Sequence, residues 1–416
     1  MKQVLATGAA LSMALSMTPV TASAADKVDI NVIAAQYGQQ TADWWANFVT
    51  EFNEANPDIN LNVEVVSWND IYTVVNTRIA NGEAPDVLNI DVFADYQADD
   101  LLLPIQDVVS EETYSKMYDA FLAQSEVDGT VWAIPDLASA RAMYYNKDIL
   151  DAAGVEVPTT WDEFEEVLQK LSDAGIQPLT TGGSDKWGAT RLINAYAVRT
   201  AGNDIMTKAA DGEVPYTDEK LVAAADKLAE WAEKGYFGEG ITTVDMNTAG
   251  SMLMSGKAAI FYNGSWFTQN LTDDSQNPAG EDGIGFFNIP VADESVSSAT
   301  SYSMNCGNIL ALDNDKYDEA TGWFLKYFME NIGNLAMEEQ GTVKGYTYDV
   351  AADDMDGYTK LVLDEIDKST EGFAWWEAKM PSEISKTAQE NVQPLLNGEM
   401  TGEEYMQSIQ DVYDMQ

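Results

Sequence analysis

The stretch VDINVIAAQYGQQTADWWANFVTEFNEANPDINLNVEVVSWNDIYTVVNTRIANGEAPDVLNIDV, residues 28–92, decides the architecture. Its first eight residues are apolar and β-branched enough to read as a strand. In TADWWANFVTEFNEANP the apolar residues Trp44, Trp45, Phe48, Val49 and Phe52 recur at helical spacing, and Pro57 stops the run. INLNVEVV then alternates, which places Ile59, Leu61, Val63 and Val65 on one face of a second strand. NDIYTVVNTRIANG is helical again, and PDVLNIDV returns to a strand. A β-α-β-α-β order of this kind implies a parallel sheet with right-handed crossovers.

The rest of the chain keeps to the α/β pattern. TTWDEFEEVLQKLSDAG carries a T-x-x-E capping box at Thr160 and Glu163, a buried stripe of Trp161, Phe164, Val167, Leu168 and Leu171, and Gly175 as its stop. DEKLVAAADKLAEWAEKG and DEATGWFLKYFMEN read as helices, AAIFYN and NILALD as strands. With 416 residues the chain exceeds one compact core. No Pro- or Ser-rich linker separates two halves, so the chain is expected to cross between two lobes more than once and to leave a cleft between them.

Composition narrows the function. The 22 basic and 69 acidic residues leave a net charge of −47. Nucleic acid and anionic membrane are poor partners for such a surface, because both are bound through Lys and Arg. Histidine is absent, which removes His-dependent nucleophilic triads and His-rich zinc sites. The single cysteine, Cys306, forms no internal disulfide. Residues 1–24, with Lys2, an apolar run and Ala22-Ser23-Ala24, read as a cleavable secretory signal. No cysteine near that cleavage point is available for acylation, so a periplasmic or secreted location is expected. Short acidic runs such as 98–100 and 351–356 lack the spacing of a calcium loop. No cofactor and no metal is expected.

Several segments, in order along the chain, resemble the family 1 extracellular solute-binding proteins, the sugar-capturing components of ABC importers, to which maltose-binding protein is related. WAIPDLASARAMYYNKDILDAAGVEVPTTWDEFEEVLQKL (132–171) is similar to the family's strand-to-helix junction at "YNKD" and the helix start that follows. MLMSGKAAIFYNGSW (252–266), the pair NEANPDINLNVEVV (53–66) and IANGEAPDVLNIDV (79–92), and NCGNILALDNDKYDEATGWFLKYFME (305–330) match its other segments. The resemblance implies a two-lobed type II periplasmic binding protein fold closing on a sugar. It also implies no catalysis and delivery of the ligand to a membrane permease. Lobe 1 is expected over 25–140 plus about 290–345, and lobe 2 over about 141–289 plus 346–416. A monomer is expected, with a neutral mono- or oligosaccharide as ligand. Two alternatives from other classes are a binding protein of the same fold for a polyamine or other cation, and a secreted glycosidase. Adjacent Tyr144 and Tyr145 raise a ferric-iron reading, which their continuation into Asn146-Lys147-Asp148 disfavours.

Sugar recognition needs aromatic faces for the C–H patches of the ring and planar polar groups for its hydroxyls. The chain holds 11 tryptophans. Trp266 follows Asn263-Gly264, read here as a turn after a strand, and the resemblance assigns it the stacking role. Asp91 ends the PDVLNIDV strand, and Gln36 and Tyr37 end the first strand. Asp136 and Arg141 flank the segment after Pro135, where a charged pair can bond hydroxyls or lock a hinge. Trp187 follows a Gly-rich turn as a second platform. Trp375 and Trp376 form a late aromatic pair, one for the core and one for the cleft. Asn305 and Asn308 bracket a strand start as amide donors.

Overall fold

The structure, a computed structural model, describes residues 27–36, 40–68, 70–90, 96, 100–122, 125–127, 129–136, 138–306, 309–341, 344–351, 355–375, 377 and 380–415, with the backbone alone at 119, 120, 138, 305, 306 and 340. The leader at residues 1–24 lies outside this set.

The described residues form thirteen strands in chain order: β1 (Val28–Gln36), β2 (Ile59–Ser67), β3 (Val87–Ile90), β4 (Glu126–Val127), β5 (Thr130–Val131), β6 (Ile134–Pro135), β7 (Ala138–Asn146), β8 (Gln177–Thr180), β9 (Ala258–Gly264), β10 (Ile284–Phe287), β11 (Ser301–Cys306), β12 (Ile309–Leu312) and β13 (Glu371–Phe373). They build two main sheets. The first has the order β2-β1-β3-β12-β6, and the second β13-β11-β7-β9-β8 with β10 also on β7. β2, β1 and β3 are parallel, as the opening stretch demands. β12 runs antiparallel to both β3 and β6.

The first sheet is covered on one face by the helix Ala42–Ala55, whose Trp45, Phe48 and Phe52 are buried against Phe324 and Phe328 of the long helix Glu319–Gln340. Thr41 caps the first of these helices by accepting from the Trp44 amide at 3.2 Å. On the other face, Ile33, Ala35, Leu88 and Ile90 pack with Ile71 and Val75 of the helix Ile71–Ala80 and with Ala140, Tyr302 and Met304 of the second sheet. One apolar cluster therefore bridges the two sheets. The second sheet is sandwiched between the helices Trp161–Asp173, Trp187–Ala201, Glu219–Glu233, Ser382–Leu396 and Gly402–Tyr413 on one side and Met246–Met254 and Gly357–Ile366 on the other.

The chain leaves the first sheet between β6 and β7, returns between β11 and β12, and passes back after the helix Glu319–Gln340. β11 still belongs to the second sheet, so the return crossing falls between β11 and β12, later than the position near 290 read from the sequence. Strand directions then decide where a site can form. β7 begins and β11 ends beside the first sheet, and β9 runs antiparallel to β7. β8 is parallel to β9, and β13 to β11. The carboxyl ends of β8, β9, β11 and β13 therefore face the crossing, as do those of β1, β2 and β3 from the other side. Ligand sites of α/β sheets lie at such ends.

Candidate functional site

Three tryptophans emerge from three of these carboxyl ends. Trp187 follows β8, Trp266 follows β9 and Trp375 follows β13. They converge on Arg141, the fourth residue of β7. Its guanidinium carbon lies 4.7 Å from the Trp266 ring, 5.1 Å from Trp187 and 5.8 Å from Trp375. Trp187 and Trp266 meet edge to face at 6.3 Å. Trp375 is buried, whereas Trp266 and Trp187 keep part of their surface open.

Local sequence explains the placement. β9 runs through Asn263 and Gly264, paired with Ala142 and Arg141. The turn expected at those two residues comes one step later, as a short 3-10 helix over Ser265–Phe267. The physical reason is burial: Asn263 is enclosed in the sheet, and its side-chain oxygen accepts from the Gly264 amide at 2.9 Å. Gly264 has an ordinary extended backbone, and its task is steric. A Cβ there would come within 2.1 Å of the Trp266 ring, so the indole lies on the strand only because glycine leaves the space. At Trp187 the device is different. Lys186 takes φ 65°, a left-handed conformation that costs a lysine free energy, and it aims the first residue of the helix. The Trp187 amide donates back to the Asp185 carbonyl at 2.6 Å, and Asp185 accepts from the Met246 amide at 2.5 Å.

Arg141 is 4 % exposed, and its Nε and Nη1 have no hydrogen-bond partner. Burial draws its pKa down to about 10, so it stays protonated at neutral pH. The expected pairing with Asp136 does not form. Asp136 is fully buried, accepting from Gln40 Nε2 at 3.0 Å and from Asn89 Nδ2 at 2.9 Å. Lys344 donates to Gln40 Oε1 at 2.7 Å, which completes a buried polar chain beside the first crossing. Of the two roles left open for Asp136, its geometry suits locking the crossing.

Gln36 ends β1 with its side chain exposed at the carboxyl edge. Asn305 is placed by its backbone alone, opposite Ser139 on β7. Tyr37, Asp91, Asn308 and Trp376 lie outside the described residues. Tyr144 and Tyr145 alternate across β7, one in each core layer, and the buried Tyr144 hydroxyl donates to the Gly264 carbonyl at 3.1 Å. Opposite faces of one strand cannot close on a single ferric ion. Among the described residues no group of three or more acidic or thiol side chains is arranged to hold a metal.

The sequence reading missed Arg191 and Glu377, a buried ion pair beside Trp375, with Thr190 donating to Glu377 at 2.7 Å. Nothing local could have found a pair so distant in the chain. It also missed Trp68, directly after β2, which meets Tyr72 edge to face at 6.5 Å on the first sheet's side. Its position just past an alternating strand was the available signal.

The sequence profile of the bacterial extracellular solute-binding protein family matches residues 37–334. Among individual proteins, one from Brucella abortus is 27% identical over 259 residues, 62% of each chain. The multiple sugar-binding protein of Streptococcus mutans is 25% identical, over 58% of each chain. The chain thus spans about three fifths of the length of the first curated relatives it matches. A solved chitin oligosaccharide binding protein superposes with a TM-score of 0.83 at 22% identity, covering 94% of this chain and 99% of that one. A raffinose complex of the solute-binding protein RafE reaches 0.72 at 18% identity, covering 93% and 99%. These likenesses establish the two-lobed architecture, and no described helix is long and apolar enough to cross a membrane. With the profile spanning most of the chain and the two crossing-linked sheets in place, the protein belongs to the bacterial extracellular solute-binding protein family.

Proposed function

We propose that the protein is an extracytoplasmic carbohydrate-binding protein. It captures a neutral mono- or oligosaccharide between its lobes and hands it to the membrane permease of an ABC transporter, without catalysis. The lobes follow the two sheets, and closure is a hinge motion about the three crossing segments. Export through the leader at residues 1–24, without a lipid anchor, and action as a monomer belong to the same proposal.

The observation that carries the reading is the convergence of Trp187, Trp266 and Trp375 at the carboxyl ends of three strands. Partly open indole faces suit the C–H patches of a pyranose, and a guanidinium in a fixed plane suits its hydroxyls. The names of the Streptococcus mutans relative and of the raffinose complex point the same way. The same geometry disfavours a polyamine, because the cationic slot among the rings is already filled by Arg141.

Thermal unfolding against a panel of sugars, polyamines and ferric citrate tests this, since a ligand of the native state raises Tm. Neutral sugars are expected to shift it. A shift with polyamines alone would sink the sugar reading, and release of reducing ends from an oligosaccharide would replace it with glycoside hydrolysis. In the responsive case Trp266→Ala should keep a cooperative transition and weaken sugar binding at least about 30-fold, equivalent to about 2 kcal/mol.

A further inference from the structure

The chain has only four arginines among its 416 residues. Arg78 is on the surface and engages Glu64 and Glu83. The other three, Arg141, Arg191 and Arg199, are buried, the first two against the indole cluster and Arg199 against the Phe373 ring at 5.8 Å. Each of their charges acts on the Tyr262 phenol, drawing its pKa down against the burial that raises it. Arg141 and Arg191 both lie against the Trp375 ring, at 5.8 and 4.7 Å from its centre. Among the described residues only one carboxylate, Glu377, pairs with any of the three. Arg199 is held by neutral oxygens alone: the Ser297 hydroxyl at 2.7 Å and the carbonyls of Ser298 and Ser301 at 2.7 and 2.9 Å. Its pKa, like that of Arg141, falls to about 10 through burial.

Donors without acceptors gather in the same place. Arg141 Nε and Nη1 and Asn194 Nδ2 are buried and have no hydrogen-bond partner, and the buried Tyr262 and Ser303 hydroxyls have none beyond each other. Ser303 stands opposite Arg141 in register, so the two share a sheet face, and Tyr262 lies on that face from β9. Asn194 is one helical turn from Arg191 on the covering helix. Water could accept these hydrogen bonds, but it leaves the Arg141 and Arg199 guanidiniums buried without counter-charge, which a low-dielectric interior disfavours.

We propose that this cluster binds a small, singly charged inorganic anion of the halide class, taken from solvent and seated under the tryptophans. The anion compensates the guanidiniums and holds Arg141 in the plane on which the indoles rest. It leaves the saccharide neutral and does not depend on the saccharide reading, because the first test is run without sugar.

Tm of the full mature chain is measured in sodium gluconate, with stepwise exchange for chloride or bromide at constant ionic strength. A saturable rise of about 2 °C or more is expected. Arg141→Gln should abolish the rise, and the surface control Arg78→Gln should keep it. Should Arg141→Gln not fold, crystals of the unsubstituted protein grown in bromide provide the second measurement, with an anomalous peak expected within hydrogen-bond distance of the Arg141 guanidinium. A Tm indifferent to halide, a rise that persists in Arg141→Gln, or bromide found only elsewhere overturns the proposal. So does a preference for glucuronate over glucose that vanishes in Arg141→Gln, because it transfers the negative charge to the ligand.

Discussion

Gly264 and Trp266 show how one missing methyl group shapes the site. The indole folds back onto its own strand, and the space it uses is the one a Cβ would fill. Gly264→Ala should therefore leave the strand paired, since its backbone is extended, while tilting the ring away from Arg141. The expected outcome is a nearly unchanged Tm with sugar affinity reduced about 10-fold, about 1.4 kcal/mol, measured by titration calorimetry. Trp266 was legible as a candidate from its place after an apolar strand. Its reliance on Gly264 was not, because Asn-Gly carries the same local signature whether it turns the chain or continues a buried strand. Arg141 was singled out for its nearness to Asp136. Its actual neighbours are the three rings, drawn from points far apart in the sequence.

At the scale of elements, local chemistry governs. The helix Trp161–Asp173 begins at the expected capping box: the Glu163 amide donates to the Thr160 hydroxyl at 3.3 Å, and the Glu163 carboxylate accepts from the Thr160 amide at 3.2 Å. These bonds, led by that from the Thr159 amide, hold the Glu163 pKa below the ordinary carboxylate range. The buried stripe is the one its spacing predicts: Trp161, Phe164, Val167, Leu168 and Leu171. Phe164 is fully enclosed and meets Trp161 and Trp231 edge to face at 5.5 and 5.9 Å. Phe164→Ala should lower the urea midpoint at unchanged slope, with a loss of about 3–5 kcal/mol in unfolding free energy. A loss under about 1 kcal/mol would mean that the second core layer collapses readily around the cavity.

At the scale of the molecule, two sheets turn their carboxyl ends toward each other and the chain passes between them at least three times. The first passage is braced by the buried Lys344–Gln40–Asp136–Asn89 chain. Burial lowers the Lys344 pKa from 10.5 to about 8, against the opposing pull of Asp136. Below pH 8 native and unfolded chains both hold the proton. Between about 8 and 10.5 the unfolded chain holds more of it, so this group makes stability rise with pH. Relative to Lys344→Met, the wild-type protein should gain up to about 3 kcal/mol of unfolding free energy across that window, followed by denaturant titration at several pH values. A difference that is flat, or that falls with pH, would contradict a native lysine of lowered pKa.

What the sequence determined by itself is local in origin. Strand and helix periods, caps and stops follow from neighbours within a few residues, and they sufficed for the parallel opening of the first sheet and the α/β class. The ordered family resemblance carried the two-lobed arrangement, which periodicity alone does not contain. Tertiary structure decided the rest: where the chain returns to the first sheet, which strand absorbs Asn263 and Gly264, and that Trp187, Trp266 and Trp375 meet on one guanidinium. It also placed Arg191 against Glu377 and gathered three of the four arginines in one buried cluster. The reason is physical. Secondary structure is chosen by short-range sterics and hydrogen bonding, whereas a site is chosen by which strand ends the sheets bring together, and those contacts join residues far apart in the chain.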